Sequence, residues 1–456
     1  MRKNIITLTD SYKFSHAAQY PKGTTSVYSY FESRVGARFK ETVFFGLQYF
    51  LKEYLEGQVV TKEKIDQAQK LVDAHVGPGI FNRAGWEYIL EKHGGRLPVR
   101  IRAVPEGTVV PESNVLMTVE NTDPKLHWLT NYLETLLVQV WYPSTVASQS
   151  RAMKQTILEY LEKTGDPSLI NFKLHDFGFR GVSSVESAGL GAAAHLVNFM
   201  GTDTVAGLEL AQDYYYGGMV GFSIPASEHS TITSWGKEGE ADAMRNMLET
   251  YPKGLVACVS DSWDIFKAAA DIWGARLKDS VLAREGTLVV RPDSGDPMMV
   301  IPTVMQILAE KFGATKNEKG YMVLNPKVRM IQGDGVDVET LPEMLDAVKG
   351  AGFSIDNIAF GSGGGLLQKV NRDTQRFAFK CAQVTVKGED RDVFKQPATD
   401  PTKNSKSGRL YLVKEPTGFA TVHRTNMPDV LQTVFENGKV TYEQTFEQVR
   451  ARAAIK

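Results

Sequence analysis

The sequence predicts an α/β barrel, or an open α/β sheet, flanked by an α+β region, and two observations carry that expectation. The first is the stretch 288–296, LVVRPDSGD. A continuous apolar run is what a strand buried on both faces of a parallel sheet looks like. Pro292 has no N–H to give a ladder and Gly295 permits a turn, so the strand ends there, with Arg291 and Asp293 on one side of its tip. A helical pattern over 298–312 completes a βα unit. The second observation is that the unit recurs. Apolar runs at 172–174, 221–224, 255–259, 328–332 and 358–360 each lead into loops of Asp, His, Arg or Gly, and plausible helices such as 264–277 and 338–348 follow most of them. Loops of that kind, collected at one edge of a parallel sheet, are where such folds keep their chemistry.

Taken in order, residues 1–23 read as a short opening segment with Tyr12 and Lys13 before the turn residues Pro21 and Gly23. Alternation over 26–32 predicts a strand. Helical periodicity covers 42–54, 63–75 and 85–92, and strands of a small sheet are expected at 99–103 and 115–119. A long helix is expected from 126 to 141, broken at Pro143 and resuming to 161. After the βα units come short strands at 377–386, 410–414 and 419–423, separated by Gly and Pro turns, and a closing helix at 446–454. The expected division is residues 1–145 together with 375–456 as an α+β domain and 146–374 as the barrel.

The 456 residues are ample for a sizeable core. With 52 basic and 53 acidic side chains, no global field is available to hold nucleic acid or an anionic membrane, so any basic site is local. Cys258 and Cys381 sit in apolar runs and read as small core residues, as a reducing cytoplasm would allow. The basic start is followed by too short an apolar segment for a signal peptide, and no run approaches the roughly 20 residues of a membrane span. The expectation is a cytoplasmic protein.

Several residue types could carry chemistry. Gly333 and the run 361–365, with Gly363 and Gly364, let backbone N–H groups approach an anion, although plain turn chemistry explains either loop equally well. Neither has the Walker A or dinucleotide pattern. Asp293 and Asp334, at strand ends, suit ribose hydroxyls or Mg²⁺ on a diphosphate, or else cap helices. Arg372, Lys380 and Lys403 would neutralise a diphosphate, or simply be solvated. His229 follows a strand in Ser227-Glu228-His229, where Ser227 would cap a helix and the imidazole could act as proton carrier or nucleophile. His175 and His195 read as structural. Phe177, Phe179 and Tyr12 could stack on a planar ring. No Cys/His zinc spacing is present, and no metal ligands are assigned.

Longer motifs then point to a family. TDSYK at 9–13, ETVFFGLQ at 41–48, VENTDP at 119–124, KLHDFGFRGVSS at 173–184, HLVNFMGTDTVAG at 195–207, IQGDGVD at 331–337 and IAFGSGGGLLQ at 358–368 resemble the nicotinamide phosphoribosyltransferases, nearly end to end. Position 179 is Phe where the family pattern has Tyr. That resemblance implies a type II phosphoribosyltransferase-like α/β barrel with an additional α+β domain, working as a homodimer with shared sites in NAD salvage. Its substrates would be nicotinamide, phosphoribosyl diphosphate and ATP, with Mg²⁺ carried by the diphosphate. The ring would lie between Phe177 and Tyr12 of the other subunit, with Asp203 holding the carboxamide and Ser223 and Arg291 nearby. Asp293, Gly333 and Asp334 would bind ribose, and Gly363 and Gly364 the 5-phosphate. Arg34, Arg180, Arg372, Lys380 and Lys403 would surround diphosphate or ATP. His229, steadied by Asp261, would be a phosphorylated histidine.

Two alternatives stand beside this reading. A nicotinate or quinolinate phosphoribosyltransferase shares fold and reaction and differs in the base, while a non-catalytic binding protein on the same scaffold needs no intact site. Asp203 itself has a second reading, as the N-cap of a helix over 205–210.

Overall fold

The structure, a computed structural model, describes residues 3–399, 404–416 and 418–455. Its centre is a ring of parallel strands. Gly201–Thr202, Leu174–Asp176, Ile358–Ser362, Val328–Gln332, Glu285–Arg291 and Lys253–Val259 lie side by side in that order. Residues 222–226 complete the circuit, because Gly201 bridges Phe222 and Ala226 bridges Ala257, both in parallel sense. Two of the bonds that close it are Thr202 N–H to Phe222 C=O at 3.1 Å and Ala257 N–H to Pro225 C=O at 2.9 Å. A closed circuit leaves no free edge, so this is a barrel rather than an open sheet. The strand expected at 221–224 survives only as these bridges, since Pro225 lacks the donor that would extend a ladder.

Helices cover the barrel because their apolar faces need burial. In Pro297–Phe312, Val300, Ile301, Val304, Met305 and Leu308 are buried at three- and four-residue spacing, Asp296 caps the first turn, and Pro297 occupies a position that needs no N–H. Trp141–Thr164 is one continuous helix of 24 residues. Pro143, expected to break it, lies in its first turn, where a missing donor costs little. The residues before it form short helical turns, Leu129–Tyr132, Glu134–Leu137 and Val138–Val140. The helix expected at 42–54 is likewise divided. Glu41–Val43 pairs with Val109–Pro111 as a strand, and helical turns begin only after Gly46, which holds φ +103°.

The second layer is an antiparallel sheet built from both ends of the chain. Its order is Glu389–Asp392, Phe377–Val386, Thr24–Ser33, Val115–Asn121, Val99–Ala103, Gln432–Glu436 and Lys439–Val440. In its register Lys380 lies opposite Tyr30. The sheet region and the barrel meet at Glu106, whose fully buried carboxylate accepts from Gly46 N–H and from the hydroxyl of Tyr215, on the barrel helix Val205–Tyr215, each at 2.8 Å. Burial pushes that carboxyl above its ordinary range.

Candidate active site

The site is assembled at the C-terminal ends of the barrel strands. Phe177 follows Leu174–Asp176, and its N–H bonds the Ser362 carbonyl at 2.9 Å. Its ring packs against position 361: a Cβ there would sit 1.9 Å from Phe177 Cε2. A Cβ at Gly333 would lie 3.1 Å from Asp293 Oδ1 and 3.6 Å from the same ring. The glycine-rich loop expected to wrap phosphate is thus put to two uses. Gly361 seats an aromatic ring, whereas Gly363 and Gly364 line the cavity at the barrel mouth.

Asp203 follows Gly201–Thr202 and is exposed. The N-cap of Val205–Tyr215 is Thr204, so Asp203 is not a cap. Its carboxylate instead accepts from the Ser223 hydroxyl. Arg291 ends Glu285–Arg291 and pairs with Asp293 at 3.1 Å, while its buried Nε has no protein partner. That unspent donor is a group a ligand can use. Two cavities meet here. One of about 770 Å³ at the mouth is lined by Phe177, Arg180, Asp203, His229, Arg291 and Asp293, among others. The other, of about 400 Å³, runs inside the barrel past Ser223, Val289 and Ile331, and shares Phe177, Asp203 and Arg291 with the first. An apolar slot with a few polar groups at its rim suits a flat ring bearing one polar substituent.

His229 is the first residue of the short helix His229–Thr233. Its Nε2 lies 3.0 Å from Asp261 Oδ1, and Ser294 Oγ donates to the other oxygen. The imidazole is 46% exposed and the Asp261 side chain 3%. In the neutral tautomer whose Nε2–H donates to this carboxylate, Nδ1 is the nitrogen that keeps a lone pair, as a base or nucleophile requires. Ser227 does not cap this helix. Glu228 does, through a capping box with Thr231, while Ser227 Oγ accepts from Val259 N–H at 2.9 Å.

The remaining basic residues divide into two groups. Arg180 is exposed at the mouth. Arg34, Arg372 and Lys380 are not among its lining residues and gather instead where Thr24–Ser33 pairs with Phe377–Val386. Burial lowers the Lys380 pKa; Glu134 opposes that shift, and Lys395, Arg34 and Arg372 add to it. Tyr12 also stands apart from the same chain's Phe177, 59% exposed and edge-on to His16 at 4.9 Å. Its segment is anchored by the buried Lys13, which reaches Glu134 at 2.5 Å and the Asn131 carbonyl at 2.7 Å. Asp334 is exposed and does not line the mouth cavity. Lys403 lies outside the described residues. Among the described residues, no three His, Cys, Asp or Glu side chains converge as a metal site.

Residues 172–439 match the nicotinate phosphoribosyltransferase (NAPRTase) family, and residues 4–101 match the N-terminal domain of nicotinamide phosphoribosyltransferase. The chain belongs to the nicotinate phosphoribosyltransferase family. Similar to it is a nicotinamide phosphoribosyltransferase of Xanthomonas campestris pv. campestris, 52% identical across 99% of this chain and 98% of the relative. Another, from Acinetobacter baylyi, is 34% identical across 99% of this chain and 97% of its own. The crystal structure of nicotinate-nucleotide pyrophosphorylase from Pyrococcus furiosus shares the fold, with a TM-score of 0.64 at 17% identity, covering 99% of this chain and 95% of that one.

Within this family member, sequence reasoning missed residues that act through others. Glu228 is a cap, Ser294 supports Asp261, and Asp176 and Thr202 are joined beneath Phe177 and Asp203. Only Glu228 had a local signal, its spacing to Thr231.

Proposed function

We propose that the chain transfers the phosphoribosyl group of 5-phosphoribosyl 1-diphosphate to nicotinamide, giving nicotinamide mononucleotide and diphosphate. One observation carries the choice of base: the Asp203 carboxylate is not a helix cap and stands with Ser223 beside Phe177 and Arg291. An ionised carboxylate only accepts hydrogen bonds, so it suits the NH₂ of a carboxamide and repels a carboxylate. The curated relatives, named for nicotinamide, agree.

In the reaction the pyridine nitrogen attacks the anomeric carbon, the C–N bond forms, and the C–O bond to diphosphate breaks with its electron pair on the leaving group. No proton need move. The protein's part is to hold the ring against Phe177, to engage the ribose through Asp293, and to stabilise a cationic sugar and an anionic leaving group. The half-buried carboxylate of Asp293 and the exposed one of Asp334 are hard oxygen donors of the kind Mg²⁺ accepts, and that ion, when bound on the diphosphate, would neutralise the leaving group.

ATP enters this proposal through His229. Its Nδ1 would take the γ-phosphoryl group with release of ADP, and hydrolysis of the phosphohistidine would return phosphate. The placement of Tyr12, Arg34, Arg372 and Lys380 away from the mouth of their own barrel supports a homodimer in which these groups complete the other subunit's site. Mixing inactive Tyr12→Ala and Phe177→Ala proteins would then restore activity, and no recovery after subunit exchange would rule out sharing. The deciding assay for the proposed function combines phosphoribosyl diphosphate and Mg²⁺ with nicotinamide, nicotinate or quinolinate, with and without ATP. Mononucleotide from nicotinamide is expected; product from nicotinate alone would overturn the proposal.

A further inference from the structure

We propose that Asp176 is a positioning residue that sets the spacing between the two walls of the base site, the Phe177 ring and the Asp203 carboxylate, without touching the base. The inference rests on the nicotinamide reading above.

Asp176 is wholly buried at the end of Leu174–Asp176. In the parallel register it lies beside Thr202, the residue before Asp203. Its side chain reaches into both loops that form the site. Oδ1 accepts from Gly178 N–H at 2.7 Å, fixing the backbone just after Phe177. Oδ2 accepts from Thr202 Oγ1 at 3.0 Å, and that hydroxyl in turn accepts from Thr204 N–H at 3.0 Å, so Asp203 is gripped on both sides. The main chain adds a third tie, Asp203 N–H to the Asp176 carbonyl at 2.9 Å. One residue therefore connects the stacking wall to the amide-reading wall through a short chain of bonds.

A buried carboxylate is an expensive way to join two loops. Its hydrogen-bond donors here are a backbone N–H and a hydroxyl, with no cation among them, and desolvation of such a group costs several kcal/mol unless its bonds are well made. Burial pushes its carboxyl above the ordinary carboxylate range, and the bonds from Gly178 and Thr202 oppose that shift; the return is rigidity, because hydrogen bonds in a low-dielectric interior are stronger than in water. A site that grips a flat ring between two walls loses affinity when their separation drifts by a fraction of an ångström. Phosphoribosyl diphosphate, held mostly by other strands and loops with Arg180 its one proposed contact from the Phe177 loop, depends on that separation much less. The signature of Asp176 is therefore a split between the two substrates rather than a general loss.

Thr202→Val is the cleanest test, since it keeps shape and removes the hydroxyl. It is expected to raise KM for nicotinamide about tenfold, the scale of one buried charge-assisted bond, while KM for phosphoribosyl diphosphate stays within about twofold. Asp176→Ala should show the same split more strongly. Asp176→Asn, which can still accept from Gly178 N–H, should recover most of the loss. If Asp176→Ala does not fold, Thr202→Val and Asp176→Asn carry the test. Both KM values rising together, or neither moving, in variants of an active wild type would overturn the inference alone. Failure of the wild type to use nicotinamide would overturn the proposed function and this inference with it.

Discussion

The phenyl ring of Phe177 lies so close to the backbone of Gly361 that a Cβ at position 361 would stand 1.9 Å from its Cε2 and 2.3 Å from its Cδ2. No pair of non-bonded carbon atoms comes that near, and the ring lines both cavities. Strand Ile358–Ser362 is bonded in register to Leu174–Asp176, so the backbone cannot retreat. The absence of a side chain at 361 is what allows the ring to sit there.

Gly361→Ala should therefore displace the ring rather than the strand. Overpacking of this kind costs about 1–3 kcal/mol in stability, and the variant should remain folded with a lowered melting temperature. Nicotinamide KM is expected to rise at least tenfold by loss of the stacking surface, on the order of 1–2 kcal/mol. Steady-state kinetics and thermal unfolding measured together check this. An unchanged KM would mean that Phe177 does not contact the base.

How much of this was legible in the sequence depends on distance along the chain. The runs 328–332 and 358–360 declared buried strands through their apolar residues, Val328, Met330 and Ile331 in the first and all three in the second, and helix Pro297–Phe312 declared itself through its periodicity and its Asp-Pro start. Local chemistry misled where tertiary context overruled it. Pro143 reads as a breaker from its neighbours and is harmless in a first turn. Asp203 read as cap or as ligand until the helix start was seen to fall at Thr204. The pairing of Gly361 with Phe177 had no signal at all, since glycine in a loop is explained by turns and its true neighbour belongs to another strand.

His229 offers a second prediction. Its Nε2 lies against Asp261, which Ser294 supports from the other oxygen, and the proposed phosphoryl acceptor is the other ring nitrogen, Nδ1. His229→Ala should abolish ATP hydrolysis and the ATP-driven gain in mononucleotide yield. Some uncoupled transfer should survive, because the Phe177, Asp203 and Asp293 contacts do not involve the imidazole. Asp261→Asn should lower ATP hydrolysis by about tenfold to a hundredfold by removing the charged acceptor that sets the tautomer. Wild-type rates of ADP release from His229→Ala would remove the phosphohistidine from the mechanism.

A third prediction concerns pH. His195 is fully buried on helix Val185–Leu196, with Nδ1 2.9 Å from Ser150 Oγ and Nε2 3.2 Å from the Leu174 carbonyl. Burial pushes its pKa down to about 3, with smaller contributions from its neighbours. The ordinary value of about 6.5 applies to the unfolded chain, which then binds more protons between those two values. Stability is thus intact above pH 6.5 and falls as pH drops toward 3. At pH 5 this one group costs about 2 kcal/mol. His195→Gln, which keeps a donor and an acceptor, should lose less stability than wild type between pH 7.5 and pH 5 in denaturant titrations. Parallel pH profiles for the two proteins would show that His195 does not set the acid limit.

The choice of base is the last prediction, and it turns on how much the charge of Asp203 is worth. Like charges about 4 Å apart cost on the order of 4 kcal/mol at an effective dielectric near 20. Asp203 is exposed at the cavity rim, so water and salt reduce that figure; about 1.4–2 kcal/mol, or tenfold to thirtyfold in selectivity, is what remains. Arg291 works in the other direction, since its guanidinium would attract a carboxylate, but one of its nitrogens is already paired with Asp293. The net preference for a neutral carboxamide therefore hangs on the Asp203 charge, held against Ser223. Asp203→Ser removes the charge and leaves a small polar residue before the Thr204 N-cap, so the helix Val205–Tyr215 should form as before. The ratio of kcat/KM for nicotinamide over nicotinate is expected to fall by about ten- to thirtyfold, through both weaker nicotinamide use and a gain with nicotinate. Raising the ionic strength should shrink the wild-type ratio and, if anything, raise that of the variant, because Asp203→Ser leaves only the Arg291 attraction for nicotinate to be screened. If the ratio survives Asp203→Ser unchanged, discrimination lies with Arg291 and the depth of the barrel slot instead.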